Sequence, residues 1–145
     1  MVKTHPRETP RQLNEAAWKV VRARDAGKDA YDRALRQAEA AVNLAPNDRS
    51  VFNTLGVAQY RACRYTDALA TLTKFEKLNA TIEGSFPADL AFLAMTQHQL
   101  GKSDEAKATL GRLREVMKQP GVLYAEDFLR EAEELIEGKA ANKGQ

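Results

Sequence analysis

The chain carries a single cysteine, Cys63, and only two histidines, His5 and His98. One thiol cannot build an internal disulfide framework or a cysteine-based metal site, and a reducing compartment is the simpler expectation. Long apolar runs are equally scarce, the longest being the six residues from Leu90 to Met95. Neither a signal peptide nor a membrane span is therefore expected. With 8 Gly, 5 Pro and 43% hydrophobic residues, the composition excludes a collagen-like, low-complexity or wholly disordered chain. Charge of one sign is also lacking: 22 basic against 20 acidic residues leave a net +2. That balance gives no footprint for nucleic acid or for an anionic membrane surface.

What the chain does contain is a repeat. Its 145 residues suit one domain or a short array. Trp18 recurs as Phe52, Val21 as Leu55, Tyr31 as Tyr65, Ala34 as Ala68 and Ala38 as Leu72, each pair 34 positions apart. A third copy follows at a spacing of 38, in which Phe52 becomes Leu90, Leu55 Leu93, Gly56 Ala94, Ala68 Ala106, Leu72 Leu110 and Phe75 Leu113. The units span about 15–48, 49–82 and 87–120, with Asn79 to Phe86 as an enlarged connection.

Apolar spacing within each unit is helical, and breakers fall at its middle and end, so each unit reads as a helix pair. Thr9, Pro10 and Gln12 form a capping-box start, which predicts a helix from Pro10 to about Ala26, stopping near Gly27. Asp29 is the expected cap of the next helix, which ends before Pro46, and Asp48 that of the third. The second pair is predicted at Arg49 to Ala62 and Tyr65 to Leu78. The third is predicted at Pro87 to Leu100 and Asp104 to Lys118, the latter capped by Ser103. A seventh helix from about Ala125 to Glu137 has Phe128, Leu129, Ala132, Leu135 and Ile136 on one stripe. Its other face is acidic, as suits a terminal cap whose outer side meets water. Residues 1–8 and 138–145 lack periodicity and are expected to be disordered tails.

The unit Phe52, Leu55, Gly56, Tyr60, Tyr65, Ala68 and Leu72, with Pro46 closing the unit before it, resembles the tetratricopeptide repeat (TPR) motif. The first unit keeps Trp18, Tyr31, Ala34, Ala41 and Pro46 but has Arg22 where the motif prefers glycine. The runs Asn53 to Ala62 and Leu90 to Met95 are also similar to C-terminal TPR segments of large bacterial multidomain regulatory proteins. The resemblance covers residues 14 to 120. It implies an all-α fold, a right-handed TPR superhelix of three helix pairs with a seventh capping helix, in a bacterial, cytoplasmic protein.

Chemical motifs are decoys by comparison. Gly101-Lys102-Ser103 lacks the earlier glycine of a phosphate-binding loop, since Thr96 stands there. His98 has no second metal ligand one helical turn away, and Cys63, beside Arg61 and Arg64, reads as a small, half-buried turn residue. Asn79-Ala80-Thr81 fits a glycosylation pattern that matters only in a secretory compartment. No carboxylate pair stands out, so neither an enzyme nor a cofactor is expected. The expected function is a non-catalytic interaction module, an adaptor or scaffold, that binds a peptide or helix of another protein on the concave face.

The TPR resemblance places the first helix of each pair along that face. Partner-binding candidates there are Lys19 in unit one, Asn53, Thr54, Val57, Tyr60 and Arg61 in unit two, and Ala91, Met95, His98 and Gln99 in unit three. Apolar contacts mixed with amide, phenol and cationic donors make up a peptide groove. A carboxylate clamp for chaperone tails is a poor match, because Ala88, Ala91 and Phe92 occupy positions where cations are needed. The alternatives are a self-assembling structural component that uses the array ends or convex face, and a TPR-type chaperone for another protein.

Overall fold

The computed structural model describes residues 8–82 and 86–138. They form α1 (Pro10–Val21), α2 (Lys28–Leu44), α3 (Arg49–Arg61), α4 (Tyr65–Ile82), α5 (Pro87–Gln99), α6 (Ser103–Val116), a single 3-10 turn (Leu123–Ala125) and α7 (Glu126–Glu137). The architecture is all-α, with no strand among the described residues. No helix among those residues is long and apolar enough to cross a membrane. The tails expected at 1–8 and 138–145 lie outside the described residues except for Glu8 and Gly138.

Local chemistry sets most helix boundaries. The Thr9 hydroxyl accepts from Gln12 N–H and the Gln12 side chain accepts from Thr9 N–H, with Pro10 at the first helical position. Asp48 caps α3 by accepting from Ser50 N–H. Four boundaries depart from expectation. The first helix ends at Val21, short of Ala26, because the Tyr31 hydroxyl donates to Ala23 C=O and accepts from Ala26 N–H, giving the released segment another partner. Gly27, not Asp29, precedes α2, and Lys102, not Ser103, precedes α6; neither position makes a side-chain cap. The connection expected from Asn79 to Phe86 is shorter than anticipated, since α4 continues through Ile82 and 83–85 lie outside the described residues.

The turns of the second and third pairs share one device. Cys63 (φ 63°) and Gly101 (φ 80°) both take the left-handed conformation just past a helix end. Arg64 N–H then reaches back to Gln59 C=O and Lys102 N–H to Gln97 C=O, at 2.8 and 2.9 Å. This closure satisfies carbonyls that a helix end leaves orphaned. Cys63 is exposed rather than half-buried, because its role is played by the backbone.

Consecutive helices pair as α1 with α2, α3 with α4 and α5 with α6, and neighbouring pairs meet through α2 with α3 and α4 with α5. The first helices also touch in a row, α1 on α3, α3 on α5 and α5 on α7, whereas among the described residues α2, α4 and α6 form no such row of close backbone approaches, α4 and α6 being linked by the Glu76–Arg112 pair. Small residues allow the close crossings: Ala34, Ala68, Ala94 and Ala106 are all buried. Residues 87–96 of α5 are buried all round because α3, α4, α6 and α7 surround it.

Gly56 marks another close crossing, of α3 with α4. A Cβ there would lie 2.5 and 2.7 Å from Cδ2 and Cγ of Leu72, a side chain that is itself wholly buried. Gly111 on α6 is the contrast, with nothing within 4 Å of its would-be Cβ. Gly56→Ala is expected to destabilise by about 1–3 kcal/mol through overpacking, despite alanine's helix preference. Gly111→Ala is expected to stabilise by about 0.5–1 kcal/mol. Urea melts of the two variants check both signs.

Candidate functional site

The face formed by α1, α3, α5 and α7 is organised around Arg61, the last residue of α3. Its side chain is only 6% exposed. The guanidinium donates through Nε to Val21 C=O at 2.8 Å, and through Nη2 toward Arg22 C=O at 3.5 Å. These carbonyls end α1, where orphan acceptors and the negative end of the helix dipole both favour a cation. Its other face meets α7, Nη1 lying 2.5 Å from Oε2 and Nη2 3.0 Å from Oε1 of Glu131. The guanidinium also stands 4.9 Å from the centroid of the Phe92 ring on α5. One side chain thus ties α1, α3, α5 and α7 together through a bidentate, desolvated ion pair.

Phe128, one turn before Glu131, lies edge-on to both Trp18 on α1 and Phe92, with ring centroids 5.9 and 5.5 Å away. Phe92 continues to Tyr60 at 5.6 Å. This aromatic chain spans the face, and burial pushes the Tyr60 phenol above its ordinary pKa. Exposed pairs complete the attachment of α7, with Arg24 reaching Glu134 at 3.0 Å and Arg114 reaching Glu137 at 2.7 Å.

Between α1 and α7 remains a cleft of about 340 Å³. Lys19, Arg22, Ala23 and Arg24 form one wall, and Asp127, Phe128, Arg130 and Glu131 the other.

The ten expected binding residues do not share one surface. Lys19 is exposed and lines this cleft, Gln99 is exposed, and Asn53 and His98 are half-buried. Thr54, Val57, Tyr60, Ala91 and Met95 are buried, and Arg61 is enclosed in its ion pair. The expectation that they face solvent is corrected for the buried ones, which are enclosed by neighbouring helices: α3 by α1, α2, α4 and α5, and α5 by α3, α4, α6 and α7. Glu131 corrects the expected outward acidic face in the same way, being 7% exposed. A signal for it lay in the sequence: Glu131 falls between Phe128 and Ala132, inside the apolar stripe, where a carboxylate needs a buried partner.

A second cluster was missed. Glu76 of α4 and Asp89 of α5 are both buried, and Glu76 pairs with Arg112 of α6. Burial, reinforced by the hydrogen bond and charge of Glu76, pushes the Asp89 carboxyl up to about 9. The sequence expectation that no carboxylate pair exists fails here, because 13 positions separate two residues that the α4–α5 crossing brings together. Asp89 is wholly enclosed and Glu76 only 6% exposed, so the pair belongs to the packed interior. Among the described residues no group of three or more His, Cys, Asp or Glu is placed to hold a metal ion.

Compared with protein-family models, curated proteins and solved structures, the chain matches none.

Glu131→Ala strands a buried guanidinium and is expected to cost about 3–5 kcal/mol in a urea melt. The double change Arg61→Met with Glu131→Met should be less destabilised than Glu131→Ala, since no charge is left unpaired. For Asp89, the folded pKa lies above the ordinary 3.8. The native chain then holds one more proton than the unfolded chain between about pH 4 and 9, and stability falls as pH rises through that window. Asp89→Asn should flatten this dependence and stabilise by about 1–3 kcal/mol at pH 8. Melting temperatures from pH 5 to about pH 9 check it; an unchanged slope contradicts it.

Proposed function

We propose that the chain is a non-catalytic, cytoplasmic protein-interaction module of TPR architecture, which binds a segment of another polypeptide in the cleft between α1 and α7. The observation that carries this reading is the cleft itself, lined by the half-buried Ala23 and the edge of the buried Phe128 and flanked by the exposed cations Lys19 and Arg22 at the end of α1. Contact among α1, α3, α5 and α7 without a matching row of α2, α4 and α6 supports curvature toward the first helices. Such curvature is the geometry by which stacked helix pairs create a concave binding face. The buried titratable groups serve packing, and the accessible ones offer orientation and charge.

A second reading, self-assembly, is favoured by a different feature. The outer side of α4 carries a trough of about 810 Å³ lined by Leu69, Ala70, Thr73 and Leu78 and edged by Lys74 and Lys77. Leu78 is 41% exposed there.

Calorimetry of the full chain against peptides of mixed charge and conformation separates the two. At least one peptide class should bind, and Ala23→Phe, which fills the cleft, should weaken it at least tenfold while the melting curve stays put. Peptide binding that is indifferent to Ala23→Phe contradicts the cleft. A stable oligomer dispersed by Leu78→Glu, without peptide binding, establishes the second reading instead.

A further inference from the structure

The charges lining the cleft do not balance locally. Arg24 reaches Glu134, Arg130 lies 3.0 Å from Asp127, and both oxygens of Glu131 are engaged by Arg61. Lys19 and Arg22 are left over: both are exposed, and neither makes an ion pair among the described residues. They stand three positions apart at the end of α1, on one face together with Ala23. Arg22 is also held at its backbone, where its carbonyl faces Arg61.

Size restricts what enters. A volume of about 340 Å³ is at the low end of the roughly 300–1,000 Å³ typical of ligand pockets. A helix about 10 Å across does not fit without moving α7, which its buried pair with Arg61 resists. An extended chain does fit, because its side chains alternate, with residues i and i+2 on one side about 6–7 Å apart and residue i+1 on the other. That alternation turns two side chains toward the cations of the α1 wall and one toward the α7 wall, where Phe128 is only 3% exposed.

Resting on the reading above, we propose that the cleft takes an extended segment with acidic residues at alternate positions. Its two carboxylates engage Lys19 and Arg22, and the side chain between them turns away from that wall. This names the partner chemistry: a polypeptide stretch with Glu or Asp at every second position.

Full-length chain titrated with a short peptide carrying Glu-Leu-Glu, flanked by Gly and Ser, tests it. Trp18 is the chain's one tryptophan and lies 5.9 Å from Phe128, so its emission locates binding while calorimetry measures affinity. The expected result is saturable binding with a change in Trp18 emission. Affinity should weaken at least fivefold between 50 and about 200 mM salt, and at least tenfold in Lys19→Glu with Arg22→Glu. The milder Lys19→Ala should give a smaller loss in a chain with an unaltered melt. Equal binding of a Gln-Leu-Gln peptide, or binding that survives charge reversal, overturns the acidic assignment but leaves the interaction module standing. Failure of acidic, neutral and basic peptides alike overturns both.

Discussion

Arg61 is the constraint from which the rest of this face follows. Its guanidinium is taken out of water, and the cost of that desolvation is met only because three kinds of partner converge on it: the terminal carbonyl of α1, the ring of Phe92 and both oxygens of Glu131. Exposed pairs such as Arg24 with Glu134 contribute far less, being solvated and screened. A buried, bidentate pair also specifies orientation, since small rotations of α7 break one of its two hydrogen bonds. The position of α7, and with it the width of the cleft, is set by that geometry. Lys19 and Arg22 are outside this network, which is why they are left to meet something else.

The stacking beneath it rests on the opposite kind of residue. Gly56, Ala68, Ala94 and Ala106 contribute almost no side chain, and their value lies in what they leave out. Leu72 occupies the space over Gly56, so each crossing is a matched set in which one residue's smallness defines another's volume. Such sets repeat along the chain, and an array built of them grows by addition, each pair covering the apolar stripe of the one before. The third pair is different because α3, α4, α6 and α7 surround α5 and bury its residues 87–96 all round.

Much of this was legible beforehand. The spacings of 34 and 38 located all three helix pairs, and the stripe Phe128, Leu129, Ala132 located α7, because helical periodicity depends only on neighbours along the chain. Caps were legible where the side chain does the capping, as at Thr9 and Asp48. They were misread at Asp29 and Ser103, where backbone conformation starts the helix without a side-chain cap. The end of α1 was misread because the phenol that captures its released backbone groups sits on the following helix. The binding face fared worst. Register in the repeat puts Val57, Ala91 and Met95 on it, yet register alone does not say that α1, α2, α4 and α5 enclose α3 or that α7 returns to pack on α5.

The sequence by itself determined that the chain is helical, where its helices lie and which small residues sit at their crossings, since these depend on contacts within one or two turns. Only the tertiary structure decided that Arg61 and Glu131, 70 positions apart, share a buried pair, and that Glu76 and Asp89 meet in the interior. Periodic patterns record which face of a helix avoids water but carry no information on which distant carboxylate satisfies which cation. That choice is made by the crossing geometry of whole helices, and here it separates the charges that hold the fold from the two left at the edge of the cleft.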